Sequence, residues 1–378
     1  MDAFFASCEI VKNPDLKGKP VIVGGCAEAR NVVSAASYEA RKYGVHSAMP
    51  MARAEKLCPH GIYITSNFAD YSEFSKKIID IFLSYTPDVQ PLSLDEAFLD
   101  VTSSMKIFGN ALAIADLIKK EIKDKILLDA SIGIAGSRIA AKFASSIAKP
   151  NSIVMIFPGY EKKFLAPFPV SKICGIGEKT TKELNMIGIN TIDELAKFDS
   201  KSLDLKFGKV TGQTLKKYAS GEDSSYLWRK SAEKSISKES TFPENVGNYE
   251  ALTSKMEFLV EKVGFRLRKK GVKTSTITVK IRYSDFSTFT HRTTMKSPTD
   301  RDDIIRKEGL ALLKKNLKRK KVRLIGISLS KLSTATQIDI FEKNNGEKKK
   351  KLYKSIDSVR EKFGFESIMS ANTLISKK

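Results

Sequence analysis

The chain has 378 residues, a formal net charge of +22, and 42% hydrophobic and 29% charged side chains. Those values exclude a peptide hormone, a lone binding module and a disordered or fibrous chain, and they predict two or three domains with separate cores. No apolar run approaches the ~20 residues of a bilayer span, and residues 1–10 lack the basic start, apolar run and cleavage site of a secretory signal, so a cytoplasmic chain with no membrane partner is expected.

In chain order, Val21–Gly25 is a short apolar run ending in glycines, and Ser34–Gly44 is an Ala-rich, helix-like segment in which Tyr38 and Arg41 share a face. Phe74, Ile78, Ile81, Phe82 and Tyr85 recur at helical spacing until Pro87. A second helix is expected from about Asn110 to Lys123, a strand over 130–135, a helix over 138–148 and a strand over 152–157. Residues 159–230 read as mostly helical, punctuated by Gly175, Gly177, Gly188 and Gly212, and 231–235 as a tether. Beyond it come a strand near 236–241, a helix over 248–269, strands at 274–283 and 286–294, a helix at 301–318 and a strand at 322–331, a β-α-β-β-α-β string. Ile277, Val279, Ile281 and Tyr283 point one way from their strand, so Thr276, Thr278, Lys280 and Arg282 form a basic opposite face. The Lys-rich tail from Thr334 is expected to be partly disordered.

The charge is uneven. Residues 1–158 carry 18 basic and 17 acidic side chains, whereas 236–334 carry 23 and 10. A neutral chemical half and a basic half that grips phosphates explain this better than a uniformly solubilising surface. Cys8, Cys26, Cys58 and Cys174 have no paired spacing, so neither a zinc site nor a disulfide framework is expected, and buried free thiols are.

The densest carboxylate cluster in an apolar frame is Ser93-Leu94-Asp95-Glu96-Ala97-Phe98-Leu99-Asp100. Neighbours on a regular strand face opposite sides, so Asp95 and Glu96 converge only at a bend or strand end, for which Pro91 provides. Converging carboxylates repel unless a cation sits between them, and hard oxygens suit Mg²⁺. On spacing alone, however, a solvated hairpin turn is the favoured reading.

With that cluster, SLDEAFLDVT at 93–102, MDAFFAS at 1–7, SYEARKYGVHSAMP at 37–50 and AKPNS at 148–152 resemble the Y-family translesion DNA polymerases of the DinB or DNA polymerase IV type. The resemblance runs from residue 1 to about 334. It implies an α+β multidomain right hand: palm at 1–5 and 69–158, fingers at 6–68, thumb at 159–230, linker at 231–235, little finger at 236–334 and a tail at 335–378. It implies template-directed addition of deoxynucleotides to a primer 3′ end, with two Mg²⁺ ions on acidic oxygens. Asp95 is then a metal ligand and Glu96 the catalytic acidic residue beside it. Tyr38, Arg41 and Lys149 match positions that contact the incoming triphosphate, and Phe5 matches the steric gate against a 2′-hydroxyl. Ala35 stands where relatives often carry a hydroxyl. Gly175 and Gly177 look like a helix-hairpin-helix turn on a DNA phosphate, and Lys280 and Arg282 lie on the DNA-binding face of the little finger. Gln337, Ile338, Asp339, Ile340 and Phe341 resemble a sliding-clamp docking motif. The implied partners are primer-template DNA, deoxynucleoside triphosphates and the clamp, met by a monomer. Read alone, Tyr38, Arg41, Lys149 and Phe5 are more often ordinary surface or packing residues, while a plain helical turn for the glycines and a random amphipathic pentapeptide for 337–341 are the alternatives.

In the resembled family an Asp-x-Asp pair precedes the Phe-Phe, its first member binding both metals. Asp2 matches only the second, and two residues along a strand, ~6.6 Å, are too far for it to substitute without a register shift. The expectation is that Met1 is internal, that most of the first palm strand is missing from the sequence, leaving neighbouring backbone groups exposed, and that an active enzyme starts slightly upstream. The competing expectation is a catalytically impaired DNA- and clamp-binding protein. A repair-type binding protein built on the hairpin alone explains the charge but not residues 1–158.

Overall fold

The structure, a computed structural model, describes residues 1–25, 30–223, 233–334 and 345–373, with 345–347 described by backbone alone. The chain divides into two compact units, Met1–Ala27 with Asn31–Lys230, and Glu28–Arg30 with Ser231–Lys378.

In the first unit, α1 (Phe4–Lys12) follows Asp2 almost directly and buries Phe4, Ala6 and Cys8. The strands β1 (Val21–Gly24) and β2 (Val33–Ala36), the one-turn α2 (Tyr38–Arg41), α3 (Met51–Leu57) and β3 (Ile62–Thr65) come next. The sheet order is β2-β1-β3, with β1 antiparallel to β2 and parallel to β3. The helix expected over 34–44 is therefore corrected: Ser34–Ala36 are extended. Alanine's helical preference is worth only a few tenths of a kcal/mol per residue, and the ladder with β1 together with burial of Val33, Ala35 and Ala36 outweighs it. Ser37 sets the helix start by accepting a hydrogen bond from the Ala40 N–H at 3.3 Å.

Helix α4 (Phe68–Tyr85) buries Tyr71, Ser75, Ile78 and Ile81 along one stripe, and the hairpin β4 (Val89–Pro91) and β5 (Ala97–Leu99) pairs Val89 with Leu99 and Pro91 with Ala97. After α5 (Met105–Phe108), α6 (Ala111–Ile126) buries Ile114, Ile118, Ile122 and Ile126 at four-residue intervals. The unit β6 (Ile132–Ile134), α7 (Arg138–Ile147) and β7 (Ile153–Met155) is a parallel pair with a helical crossover. Gly133 permits its closeness, because a Cβ there would lie 2.0 Å from the Ala141 carbonyl oxygen on α7. The strands are shorter than the spans 130–135 and 152–157 predicted.

Residues 159–223 are helical as expected: α8 (Glu161–Leu165), α9 (Glu178–Asn185), α10 (Ile192–Lys197), α11 (Ser200–Phe207) and α12 (Lys209–Ala219). Leu184, Ile189, Ile192, Leu195, Leu203 and Leu215 form their core.

The second unit is the predicted string: β8 (Ser235–Val246), α13 (Tyr249–Lys269), β9 (Lys273–Tyr283), β10 (Thr288–Thr299), α14 (Asp302–Asn316) and β11 (Val322–Ser333). The sheet order β10-β9-β11-β8 is antiparallel throughout. Pro243 and Pro298, which cannot donate to a ladder, fall in the edge strands β8 and β10. Ile277, Val279, Ile281 and Tyr283 are buried against Leu252, Met256, Val263 and Ile305 of the helices.

Of the tail, expected to be partly disordered, residues 345–363 form helix α15 (Asn345–Phe363). Arg268 clamps it, donating from Nε and Nη2 to Asp357 at 2.6 and 3.0 Å and from Nη1 to Asp302 at 2.7 Å. The buried Arg360 reaches Glu261 and the Ile368 carbonyl oxygen. The residues proposed for clamp docking, 337–341, lie outside the described residues. Among the cysteines, Cys8 and Cys58 are buried, but Cys174 is exposed at a turn, and Cys26 lies outside the described residues. Burial pushes the Cys8 thiol up to about 12, the behaviour of a packing residue rather than a reactive one.

Candidate active site

Asp95 and Glu96 sit in the bend that joins β4 to β5, as the spacing required. The bend is closed by the Glu96 carbonyl oxygen, which accepts from the Leu92 N–H at 2.8 Å and the Ser93 N–H at 3.3 Å. Ser93 Oγ donates to Asp95 Oδ1 at 2.7 Å. Both carboxylates are half-buried and line one cavity of about 560 Å³. Its walls include Ala97–Leu99 of β5, Ile132–Ile134 of β6, and Ile114 and Ile118 of α6. Among the described residues β5 pairs only with β4 and β6 only with β7.

One wall is cationic. Arg138 and Lys142, one turn apart on α7, and Lys149, in the turn that follows the helix, all line the cavity. The Lys142 ammonium forms an ion pair with Glu96 Oε1. Lys149 Nζ lies 3.4 Å from the Met1 carbonyl oxygen. Arg138 is held by Asp223, whose carboxylate accepts from Arg138 Nε at 3.3 Å and from the Arg138 and Ile139 N–H groups at 3.2 Å. Lys142 and Arg138 escaped sequence reasoning, although their four-residue spacing on the helix expected over 138–148 was the available signal.

Asp2 is 2% exposed. Its carboxylate accepts from Ser131 Oγ at 2.8 and 2.9 Å and from the Asn151 N–H at 2.8 Å, so it fastens the loop carrying Lys149. It is thus committed to the protein's own donors.

Phe5 lies in α1, not near a strand end as its packing alternative supposed. Its ring stacks on Tyr71 at 4.5 Å between centroids and meets Phe68 edge-on at 5.6 Å. Tyr38 opens α2, and its hydroxyl is buried without a hydrogen-bond partner. Burial raises its pKa first, and the nearby Asp2 charge adds to this. The Arg41 guanidinium lies 4.8 Å from the Tyr38 ring centroid while Nε donates to the Ala36 carbonyl oxygen at 3.0 Å. Phe5, Tyr38 and Arg41 do not line the cavity with Asp95, Glu96 and Lys149.

Gly175 has φ +97° and Gly177 is the N-cap of α9, with Ile176 between them buried in the helical core. On the open face of the second unit's sheet, Arg282 Nε donates to Thr288 Oγ1 at 2.8 Å. Lys280 Nζ meets both Glu239 oxygens at 2.9 and 3.0 Å. That face is therefore less basic than β9 alone suggested.

Two short-range carboxylates are what Mg²⁺ commonly takes from a protein, the remaining positions going to water and substrate phosphate. The donor chemistry of Asp95 and Glu96 fits such an ion. Among the described residues no group of three or more His, Cys, Asp or Glu side chains is placed to hold a metal.

Comparison with known proteins defines the class. Residues 1–146 match the impB/mucB/samB family, 233–340 its C-terminal domain and 158–189 the IMS family HHH motif. The solved structures it resembles include a Y-family DNA polymerase chimera of Dbh with Dpo4, with TM-score 0.79 and 28% identity over 88% of this chain and 98% of that one. DinB from Sulfolobus solfataricus aligns with TM-score 0.58 and 28% identity over 87% of this chain and 96% of that one. The fold is thus a right-hand polymerase of the Y-family. Among curated relatives, DNA polymerase IV of Desulfatibacillum aliphaticivorans is 40% identical over 98% of this chain and 94% of its own. DNA polymerase IV of Dehalococcoides mccartyi is 38% identical over 99% of this chain and 96% of its own. The chain belongs to the DinB-type Y-family, translesion enzymes whose activity is that of a DNA-directed DNA polymerase.

Proposed function

We propose that this chain extends a primer 3′ end on a DNA template by phosphoryl transfer from deoxynucleoside triphosphates, with Asp95 and Glu96 as the acidic residues of the reaction. The observation that carries the proposal is the meeting of both carboxylates with Lys142 and Lys149 in one cavity. Y-family polymerases use divalent metal ions, and the reading here is two Mg²⁺. When bound, such ions lower the pKa of the attacking hydroxyl and neutralise charge on the leaving pyrophosphate.

The protein's own part is positioning and charge compensation. Asp95, fixed by Ser93, and Glu96 supply hard oxygens from a rigid hairpin bend. Lys149, held by the loop that Asp2 fastens, offers a point charge to the triphosphate. Arg41 offers a planar fork, pre-oriented by the Tyr38 ring and the Ala36 carbonyl. The unpartnered Tyr38 hydroxyl has a hydrogen bond to give to a phosphate oxygen or sugar. Phe5, backed by Tyr71 and Phe68, presents a rigid ring as the barrier to a 2′-hydroxyl.

Primer-template binding falls to the Gly175–Gly177 turn and to the sheet face with Lys280 and Arg282, contacting phosphates without reading bases. One solved relative is an insertion ternary complex of Dbh DNA polymerase, with TM-score 0.61, which supports a polymerase acting on bound DNA and nucleotide. The chain is read as a cytoplasmic monomer; among its described residues no helix is long and apolar enough to cross a membrane. Residues 337–341 are read as its sliding-clamp docking motif. A chain that binds DNA and clamp yet polymerises poorly is the second reading, favoured by the lack of a third acidic ligand among the described residues.

Primer extension with Mg²⁺ and all four deoxynucleotides tests both. The first reading expects extension by this chain and its loss in Asp95→Ala. Extension that survives Asp95→Ala refutes the assignment, and DNA binding without extension by the parent chain selects the second reading.

A further inference from the structure

We propose that Lys142 is a positioning residue, the resident counter-cation of Glu96, which holds that carboxylate in the cavity and which a divalent ion must displace to gain it. The inference rests on the reading of Asp95 and Glu96 as the metal-binding pair.

Three observations carry it. The first is the ion pair itself, between Lys142 Nζ and Glu96 Oε1, with side chains 22% and 38% exposed. Such a pair is partly shielded from solvent, yet close enough to it for exchange. The second is the rigid origin of the lysine. Helix α7 buries Ile139, Ala140, Phe143 and Ala144 on its other face, and its first turn is held by Asp223 at the Arg138 and Ile139 N–H groups. The ammonium is therefore delivered from a fixed axis. The third is electrostatic: adjacent carboxylates in a half-buried bend repel, and a cation at either one relieves this. Lys142 gives that relief while no ion is bound, so the bend keeps its shape. Ion and ammonium then compete for the same oxygen.

Competition has a sign that a purely structural salt bridge lacks. Removing the ammonium frees Glu96 and deletes a like charge, so divalent affinity rises. The probe is Mn²⁺ alone, titrated into the full chain without DNA or nucleotide, with free ion read by its electron paramagnetic resonance signal. Lys142→Met and Lys142→Gln are expected to bind Mn²⁺ about three- to fivefold more tightly, the range of a partly exposed ion pair. Lys142→Arg keeps the charge and should bind as the parent does, while Glu96→Gln should bind more weakly. Thermal melts identify any variant that fails to fold, and the parent-to-arginine comparison then carries the test together with the remaining neutral variant. Unchanged or weaker binding in the neutral lysine variants, with binding lost in Glu96→Gln, overturns the role given to Lys142. No effect in Glu96→Gln, or no Mn²⁺ held by the parent at millimolar ion, overturns instead the reading of the carboxylate pair.

Discussion

Phe5 makes the residue-scale case, because its ring is held on one side by a stack with Tyr71 and on another by the edge of Phe68. A gate works only if it cannot yield, and an aromatic ring packed at 4.5 Å against a buried neighbour has little freedom to move. Phe5→Ala is expected to raise ribonucleotide incorporation relative to deoxynucleotide by more than tenfold, in line with ~1–3 kcal/mol for relieved steric exclusion, measured as the ratio of kcat/KM values. Unchanged selectivity would make Phe5 a packing residue. For Asp95, replacement by alanine should lower primer extension by more than ~100-fold, beyond what loss of a residue supporting a ligand gives, with primer-template affinity retained in a gel-shift assay. Asp2 illustrates the opposite outcome at this scale: an acid beside the site whose carboxylate accepts from Ser131 and the Asn151 N–H and so braces the protein's own loop.

Elements are held by caps and close approaches that single substitutions can test. In α10, Thr191 Oγ1 accepts from the Glu194 N–H while the Glu194 carboxylate accepts from the Thr191 and Asn190 N–H groups. Thr191→Ala should cost the helical region about 1 kcal/mol, read from denaturant unfolding. Those backbone donors hold the Glu194 carboxyl below its ordinary range. A depressed carboxyl stabilises the fold above its unfolded value, near ~4.3, and that contribution is lost as pH falls through the lower folded value. The cost of Glu194→Gln should accordingly be present at neutral pH and vanish in acid. On α13, Gly264 lets α14 approach, because a Cβ there would meet Asp302 Oδ1 at 1.8 Å. Gly264→Ala gains ~1 kcal/mol of helix propensity but forces Asp302 off Arg268, and a broken buried pair costs ~3–5 kcal/mol. The variant should be destabilised, with α15 released along with the Arg268 clamp, visible as faster hydrogen exchange in 348–363.

For the molecule as a whole, the proposal that the basic half grips phosphates predicts how it meets DNA. Binding to primer-template should weaken steeply with salt, and each lost phosphate contact should lower the slope of log affinity against log salt by about one. Arg282→Ala is expected to do so, whereas Lys280→Ala should have a smaller effect, because Glu239 already compensates that ammonium. Equal slopes for Lys280→Ala and Arg282→Ala would show that Glu239 lets go when DNA binds.

The second unit's β-α-β-β-α-β order was legible in advance because each of its elements buries one face, and that requirement is written locally as alternation in strands and four-residue repeats in helices. The bend at Asp95 and Glu96, the helix of α4 and the basic excess of 236–334 were legible for the same reason: each is set by neighbours within a few residues. Tertiary structure decided the rest. The alanines before Ser37 became strand because β1 offered a partner that helix propensity could not match. Lys142 gained its meaning only when α7 laid it against a carboxylate 46 positions earlier in the sequence, and α15 ordered because Arg268 and Arg360 found acids on other elements. Such pairings depend on distances between segments, which local composition does not encode; they are fixed only once the cores have packed.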